Sequence, residues 1–249
     1  MKIILNGSLG RVGNELQRLC DAGYHGTKIA AYVDINNTPV PSRKFYNDIF
    51  DFTGAADCII DFSHHSATKK LTDYAVERRI PLVIATTGHT AEELAMIEEA
   101  SKKVAIFHSA NMSVGVAVLV KLAKSAAAAF PDADIEIIEK HHNRKLDVPS
   151  GTALMLANAI KLVRRDAEFV IGRHENGMRQ PQHVGIHAVR MGNIIGEHEV
   201  IIGTDSQTIT LKHEAHSRAL FAEGAITAAE FMSGKKNGLY NMEHLLGDR

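Results

Sequence analysis

The sequence predicts an α/β protein, with a doubly wound parallel sheet and a smaller α+β domain holding an open mixed sheet. Three observations predict it. Short apolar strands alternate with helical segments through the first 112 residues, the pattern of a parallel sheet with helices on both faces. A glycine-rich turn separates the first strand from the first helix. Beyond Gly185 the pattern changes to consecutive strands joined by turns, which marks a second domain.

The first strand is Lys2-Ile-Ile-Leu-Asn6, which breaks at Gly7-Ser8-Leu9-Gly10-Arg11-Val12-Gly13. Leu16, Leu19 and Cys20 then recur at helical spacing. The glycines follow Gly-x-x-Gly-x-x-Gly rather than Gly-x-Gly-x-x-Gly, so the context of strand, turn and helix carries the reading. The second strand, Lys28 to Val33, ends at Asp34, twenty-one residues after Gly13. A carboxylate there is placed to accept hydrogen bonds from an adenosine ribose. Together these features give a Rossmann-type, dinucleotide-binding reading.

The alternation continues with a strand over Asp57–Phe62 and a helix over His64–Arg79. Pro81–Ala85 is a strand opening into Thr86-Thr87-Gly88, and Thr90 caps a helix running to Lys103 with Glu92 and Glu93 in its first turn. Val104–Phe107 is a strand that ends in Ser109-Ala110-Asn111-Met112. Ligands of such sheets lie beyond the carboxyl ends of the strands, where these polar tips fall. His64 and His65 are helix-start residues, and no spacing supplies a metal site.

Val114–Phe130 is a long apolar helix. The strand after it contains Ile135, Ile137 and Ile138, and leads into Glu139-Lys-His141-His142-Asn-Arg-Lys145-Leu-Asp147-Val-Pro149-Ser150-Gly151-Thr152, before a helix over Ala153–Ile160. Two histidines and a lysine thus fall in a loop that ends at a helix N-terminus. Free N–H groups and partial positive charge there make a receptor for a carboxylate or phosphate, with Ser150 and Thr152 hydroxyls beside them and Gly151 allowing close approach. His141 or His142 exchanges a proton near neutrality, and Lys145 adds a charge. On chemistry alone, this is a site for a small anion that gains or loses a proton. Gly192-Asn193 and Asp205-Ser206 read as hairpin turns between antiparallel strands, and Arg173–His183 as a loop.

The net charge of −1 and a pI near 6.9 give no basic field for nucleic acid or a membrane surface, and no segment has the length of a membrane span. Cys20 and Cys58 sit in apolar runs, as small hydrophobes in a reducing compartment; a cytoplasmic location is expected.

The run Glu136–Ala153 resembles the motif Glu-(hydrophobic)2-Glu-x-His-His-x-x-Lys-x-Asp-x-Pro-Ser-Gly-Thr-Ala of the dihydrodipicolinate reductase family. The strand tips Asp61-Phe62-Ser63, Ala85–Gly88 and Ser109–Met112 resemble it too, as do Gly185–Arg190, Gly196-Glu-His198 and Ser217-Arg218-x-x-Phe221. Ala85, Ser109, Met112 and Val12 depart from the family pattern, each conservatively. The resemblance implies hydride transfer from NADH or NADPH to a cyclic dicarboxylate in lysine and diaminopimelate synthesis. It implies His141 as acid/base and Lys145 as proton donor, with His142, Ser150, Gly151 and Thr152 holding substrate carboxylates. The cofactor is expected on Gly7, Ser8, Leu9, Gly10, Arg11, Val12, Asp34, Ala85, Thr86, Thr87, Ser109, Ala110, Asn111 and Met112. It also implies domains of residues 1–112 with 218–249, for the nucleotide, and 113–217, for substrate and oligomerisation, with two crossings as a hinge and four copies in the assembly. Apolar residues on both faces of the second sheet, as in Ile194-Ile195 and Val200-Ile201-Ile202, point to an interface. Asp34, followed by Ile35, Asn36 and Asn37 rather than arginine, favours NADH, whereas Arg11, Arg43 or Lys44 near the adenosine favours NADPH; both cofactors are expected, with NADH equal or preferred.

Overall fold

The computed structural model describes residues 1–36 and 43–247 and divides into two compact units, Met1–Ser113 with Arg218–Arg249, and Val114–Ser217. In the first unit, β1 (Lys2–Asn6), α1 (Arg11–Asp21), β2 (Lys28–Val33), β3 (Phe45–Tyr46), β4 (Cys58–Asp61), α2 (Thr68–Arg78), β5 (Leu82–Ile84), α3 (Ala91–Ser101) and β6 (Ala105–His108) follow one another. Ile3, Ile4, Leu5, Ile59, Ile60, Leu82 and Val83 are wholly buried, because helices cover both faces of a parallel sheet. Thr90 and Glu93 cap α3 reciprocally, each side chain accepting from the other's backbone N–H. The helix expected from His64 starts only at Thr68, because the His64 side chain accepts from the Ser66 N–H and tightens residues 65–67 into a 3-10 turn.

The second unit contains α4 (Val114–Ala129), β7 (Asp134–His141), α5 (Gly151–Val163), β8 (Glu168–Ile171), β9 (His183–Arg190), β10 (Gly196–Gly203) and β11 (Thr208–Ala215). Its sheet has the order β11-β10-β7-β9-β8. Only the turn at Asp205-Ser206 is a true hairpin, pairing β10 with β11. The hairpin expected at Gly192-Asn193 does not exist: β9 runs parallel to β7, β10 runs antiparallel to it, and β7 lies between them. Turn residues fix a change of direction, but they do not decide whether a third strand inserts between the two arms. The four-residue β8 was not expected either. One face of the sheet packs Ile135, Ile137, Val184, Ile186, Val200 and Ile202 against Leu119 and Ala123 of α4 and Leu156 and Ile160 of α5.

The other face departs from the apolar surface expected of it. Ile194 and Ile195 precede β10, while Val200 and Ile202 belong to the core. Ile138 and Ile201 are left among Glu136, Lys140, Glu197, Glu199 and Lys212, since successive strand residues alternate faces. Lys140 and His187 pair there with Glu197 and Glu136, at 3.0 and 2.8 Å.

The chain then returns to the first unit through α6 (Ala219–Phe231), β12 (Gly238–Tyr240) and α7 (Met242–Gly247). The first sheet is completed as β12-β6-β5-β4-β1-β2-β3, with every pairing parallel. The strand order reverses between β1 and β4, the switch point at which such sheets bind ligands. Beta strands of two and three residues, β3 and β12, are too short to leave a periodic signal.

His198 of β10 is a buried titratable residue of the second unit. It is 4% exposed, and burial, with help from neighbouring His141, pushes its pKa down to about 3. An unfolded histidine titrates at about 6.5, so unfolding takes up a proton below that pH. The stabilising effect is therefore full above about pH 6.5 and is lost as pH falls toward the folded value. Amide protection in β7 and β10 is expected to fall from about pH 7 to about pH 5, and less steeply in His198→Gln. Equal slopes in the two proteins would show that His198 is not the group responsible.

Candidate active site

Strand β7 alternates Ile135, Ile137, Glu139 and His141 onto its covered face, so the core face turns polar toward the strand's end. Glu139 is fully buried. Its carboxylate accepts from His141 Nδ1 at 2.6 Å, from Arg190 Nη1 and Nη2 at 2.7 and 2.6 Å, and from the Ser150 N–H at 3.0 Å. Burial pushes its pKa up, but these hydrogen bonds prevail and hold it at about 2. The His141 and His198 rings stand 5.2 Å apart, edge to face. A Cβ on Gly196 would meet His141 Nε2 at 3.1 Å, so glycine keeps that nitrogen's surroundings open.

Ser150, expected beside a substrate carboxylate, is engaged within the chain. Its side chain is buried, its hydroxyl accepts from the Ala153 N–H as the cap of α5 and meets His198 Nε2 at 3.2 Å, and its own N–H goes to Glu139. Gly151 and Thr152 begin the helix, with Gly151 exposed. Lys145 lies in the preceding loop, its Nζ 2.8 Å from Asp147 Oδ1. That lysine, helped by the backbone N–H groups of Asp147 itself and of Gly151, holds the Asp147 carboxyl below its ordinary range. His142 is half-buried and its N–H donates to Ile194 O. The structure thus gathers His141, Lys145 and the start of α5 around one loop.

In the first unit, Gly7 has a φ of 75° and lies so close to β4 that a Cβ would stand 2.5 Å from the Phe62 carbonyl carbon. A Cβ on Gly13 would meet Gly7 O at 2.3 Å. Both positions therefore demand glycine, as a backbone cradle beside a pyrophosphate does. Asp34 accepts from the Leu9 N–H at 2.9 Å and the Asn36 N–H at 3.0 Å. A cavity of about 480 Å³ opens beside them, lined by Gly7, Leu9, Gly10, Asp34, Asn36 and Lys70 among others. These residues fit the adenosine end of a dinucleotide. Arg11 is exposed and Val12 half-buried at the start of α1.

The other expected positions vary in exposure. Ser8 is fully buried and its N–H donates to Val33 O. The Thr86 hydroxyl donates to buried Asp61 at 2.6 Å, and Met112 is 2% exposed, with its backbone packed on Gly224 of α6. Ala85, Ser109 and Asn111 are half-buried, and Thr87 and Ala110 exposed, at the strand tips. Arg43 does not turn to the adenosine end: it pairs with Asp21, hydrogen-bonds Gln17 and lies over the Tyr32 ring. Asn37 lies outside the described residues.

Sequence reasoning gave no role to Glu139, Arg190 or His198. His141 was expected in the loop, whereas β7 runs on to include it, and this sets Glu139 and His141 on one face of the strand. The approach of Arg190 and His198 was not legible, because it depends on strand order.

A family model described as dihydrodipicolinate reductase, N-terminus, matches residues 1–112, and one described as dihydrodipicolinate reductase, C-terminus, matches 115–246. The chain is 46% identical to a 4-hydroxy-tetrahydrodipicolinate reductase of Caldanaerobacter subterraneus subsp. tengcongensis, over 99% of this chain and 98% of that one. With its counterpart from Clostridium tetani the identity is 42%, over 99% and 97%. In fold it is similar to a dipicolinate-bound dihydrodipicolinate reductase from Paenisporosarcina sp. TG-14, with a TM-score of 0.83 at 24% identity, covering 97% of each chain. With both family models together spanning nearly its whole length, the chain belongs to the dihydrodipicolinate reductase family.

Proposed function

We propose that this chain is a cytoplasmic, NAD(P)H-dependent reductase acting on the cyclic dicarboxylate that its relatives' name specifies, 4-hydroxy-tetrahydrodipicolinate, in lysine and diaminopimelate synthesis. The observation that carries the reading is the meeting of His141, Lys145 and the N-terminus of α5 around one loop. Gly7, Gly10, Asp34 and the strand tips Thr86-Thr87 and Ser109–Asn111 hold the dinucleotide, whose reduced nicotinamide supplies the hydride. Lys145 stabilises the negative charge that develops on the substrate ring and delivers a proton to it, with His141 as acid/base. His142, Thr152 and the Gly151 N–H hold the substrate carboxylates by hydrogen bonds and by the positive end of α5. Ser150 serves this site by capping the helix, as its buried hydroxyl indicates.

The unpaired, shielded thiols of Cys20 and Cys58 suit a reducing compartment. Among the described residues, no helix is long and apolar enough to cross a membrane. The uncovered face of the second sheet is the contact surface of a homotetramer in this reading, with the number four taken from the family. Its mixture of Glu136, Glu197, Glu199, Lys140 and Lys212 around Ile138 and Ile201 suits a self-complementary contact.

The test of function is nucleotide oxidation with and without freshly generated substrate. His141→Ala and Lys145→Ala are each expected to lower kcat on the order of a hundredfold or more, with nucleotide affinity nearly unchanged. Near-normal turnover in both overturns the assignment. For the cofactor, Asp34 repels a 2′-phosphate and Arg43 is engaged elsewhere, so kcat/KM for NADH should equal or exceed that for NADPH at fixed ionic strength. A tenfold preference for NADPH, on the order of 1.4 kcal/mol, contradicts this. Sedimentation at micromolar concentration should give a tetramer, and a monomer would refute the interface.

A further inference from the structure

We propose that Glu139, clamped by Arg190, is the positioning residue that fixes which nitrogen of His141 exchanges the proton. The inference rests on the reading of His141 as acid/base.

An ionised carboxylate only accepts hydrogen bonds, so each group that touches it must donate. Glu139 is wholly buried, and a buried charge persists only when paired and hydrogen-bonded. It is: the Arg190 guanidinium takes both oxygens at 2.6 to 2.7 Å, and the Ser150 N–H takes Oε1 at 3.0 Å. With the carboxylate held ionised, His141 Nδ1, 2.6 Å from Oε2, carries a hydrogen in either charge state of the ring. Nε2 is left as the nitrogen that gains and loses a proton. That is the atom facing the space which Gly196 keeps free of a side chain. The pairing also decides charge. The charged and titratable groups nearby are Arg190 from β9, on the same carboxylate, His198 from β10, edge to face with the ring and backed by His213 of β11, and Lys145, which acts on His198 and pairs with Asp147 in the loop. Burial, and then His141 itself, keep His198 neutral. The anion in hydrogen-bond contact with the ring is Glu139. A salt bridge built only to hold β7 to β9 needs no histidine on it; here the third partner of the carboxylate is the ring that does the chemistry.

The experiment is the pH profile of kcat/KM for the full-length protein, comparing the wild type with Glu139→Gln, Glu139→Asp and His141→Ala. Glutamine keeps the size and an acceptor for Nδ1 but loses the charge. The alkaline limb is expected to move to lower pH by about one to three units in E139Q, with nucleotide affinity unchanged. E139D restores the limb near its wild-type position with reduced kcat. An even loss across all pH values with an unmoved limb makes Glu139 merely structural and overturns the proposal, as does a wild-type profile. His141→Ala separates the two readings: full turnover there sinks the acid/base assignment itself, while a large loss there with an unmoved E139Q limb sinks only the role of Glu139. Should the Glu139 variants fail to fold, side-chain nitrogen–proton NMR spectra of the wild type at high pH decide. Neutral His141 with its hydrogen on Nδ1 supports the proposal, and one with its hydrogen on Nε2 refutes it.

Discussion

A carboxylate sealed inside a sheet stays charged only if donors surround it, and Glu139 obtains its donors from separate parts of the second unit. His141 shares its strand, Arg190 ends β9, and Ser150 caps α5. The loop from His142 to Pro149 is therefore anchored at both ends by one side chain. Arg190 adds a third point, donating to Asp147 O at 2.8 Å. Lys145, a long flexible side chain, is held within a loop that has little freedom of its own.

The first unit uses the same device. Asp61, 1% exposed, accepts from Asn6 Nδ2, from the Ser63 N–H and hydroxyl, and from the Thr86 hydroxyl, all within 3.0 Å. These partners stand at the ends of β1, β4 and β5, so the strand tips at the switch point are tied together by one acid. Polar side chains are spent on each other there, which leaves backbone to line the switch point. Gly7 completes this by letting β1 and the β4 tip touch.

Much of the first unit was legible because a doubly wound sheet encodes itself locally: each strand is a short apolar run, each crossover a helix, and each neighbour follows from the order. The site loop was legible for a similar reason, being one stretch of chain. The second sheet was less so. Its central strand, β7, receives partners from either side through β9 and β10, and no local pattern reports an insertion between two strands joined by a turn. The same non-local pairing hid Arg190 and His198. The burial of the Ser8, Ser150 and Met112 side chains was not legible either, because residue type indicates what a side chain offers, whereas packing decides how much of it is exposed.

The division of labour along β7 explains why structure and chemistry do not compete there. Ile135 and Ile137 lie under α4 and α5 and supply apolar burial, at roughly 25 cal/mol per Å². Glu139 and His141 share that face farther along, where α5 begins and its cap replaces apolar side chains as the neighbour. Helix starts carry unsatisfied N–H groups, so an acidic residue placed at this point meets a donor rather than hydrocarbon. Register enforces the arrangement. A slip of one residue would send Glu139 and His141 to the open face and bring Lys140 under the helix, leaving Arg190 and the Ser150 N–H without their acceptor. The apolar half of the strand resists that slip, because it would expose Ile135 and Ile137 as well. The isoleucines thus set the position of the acid and the histidine to within one residue, without touching the reaction.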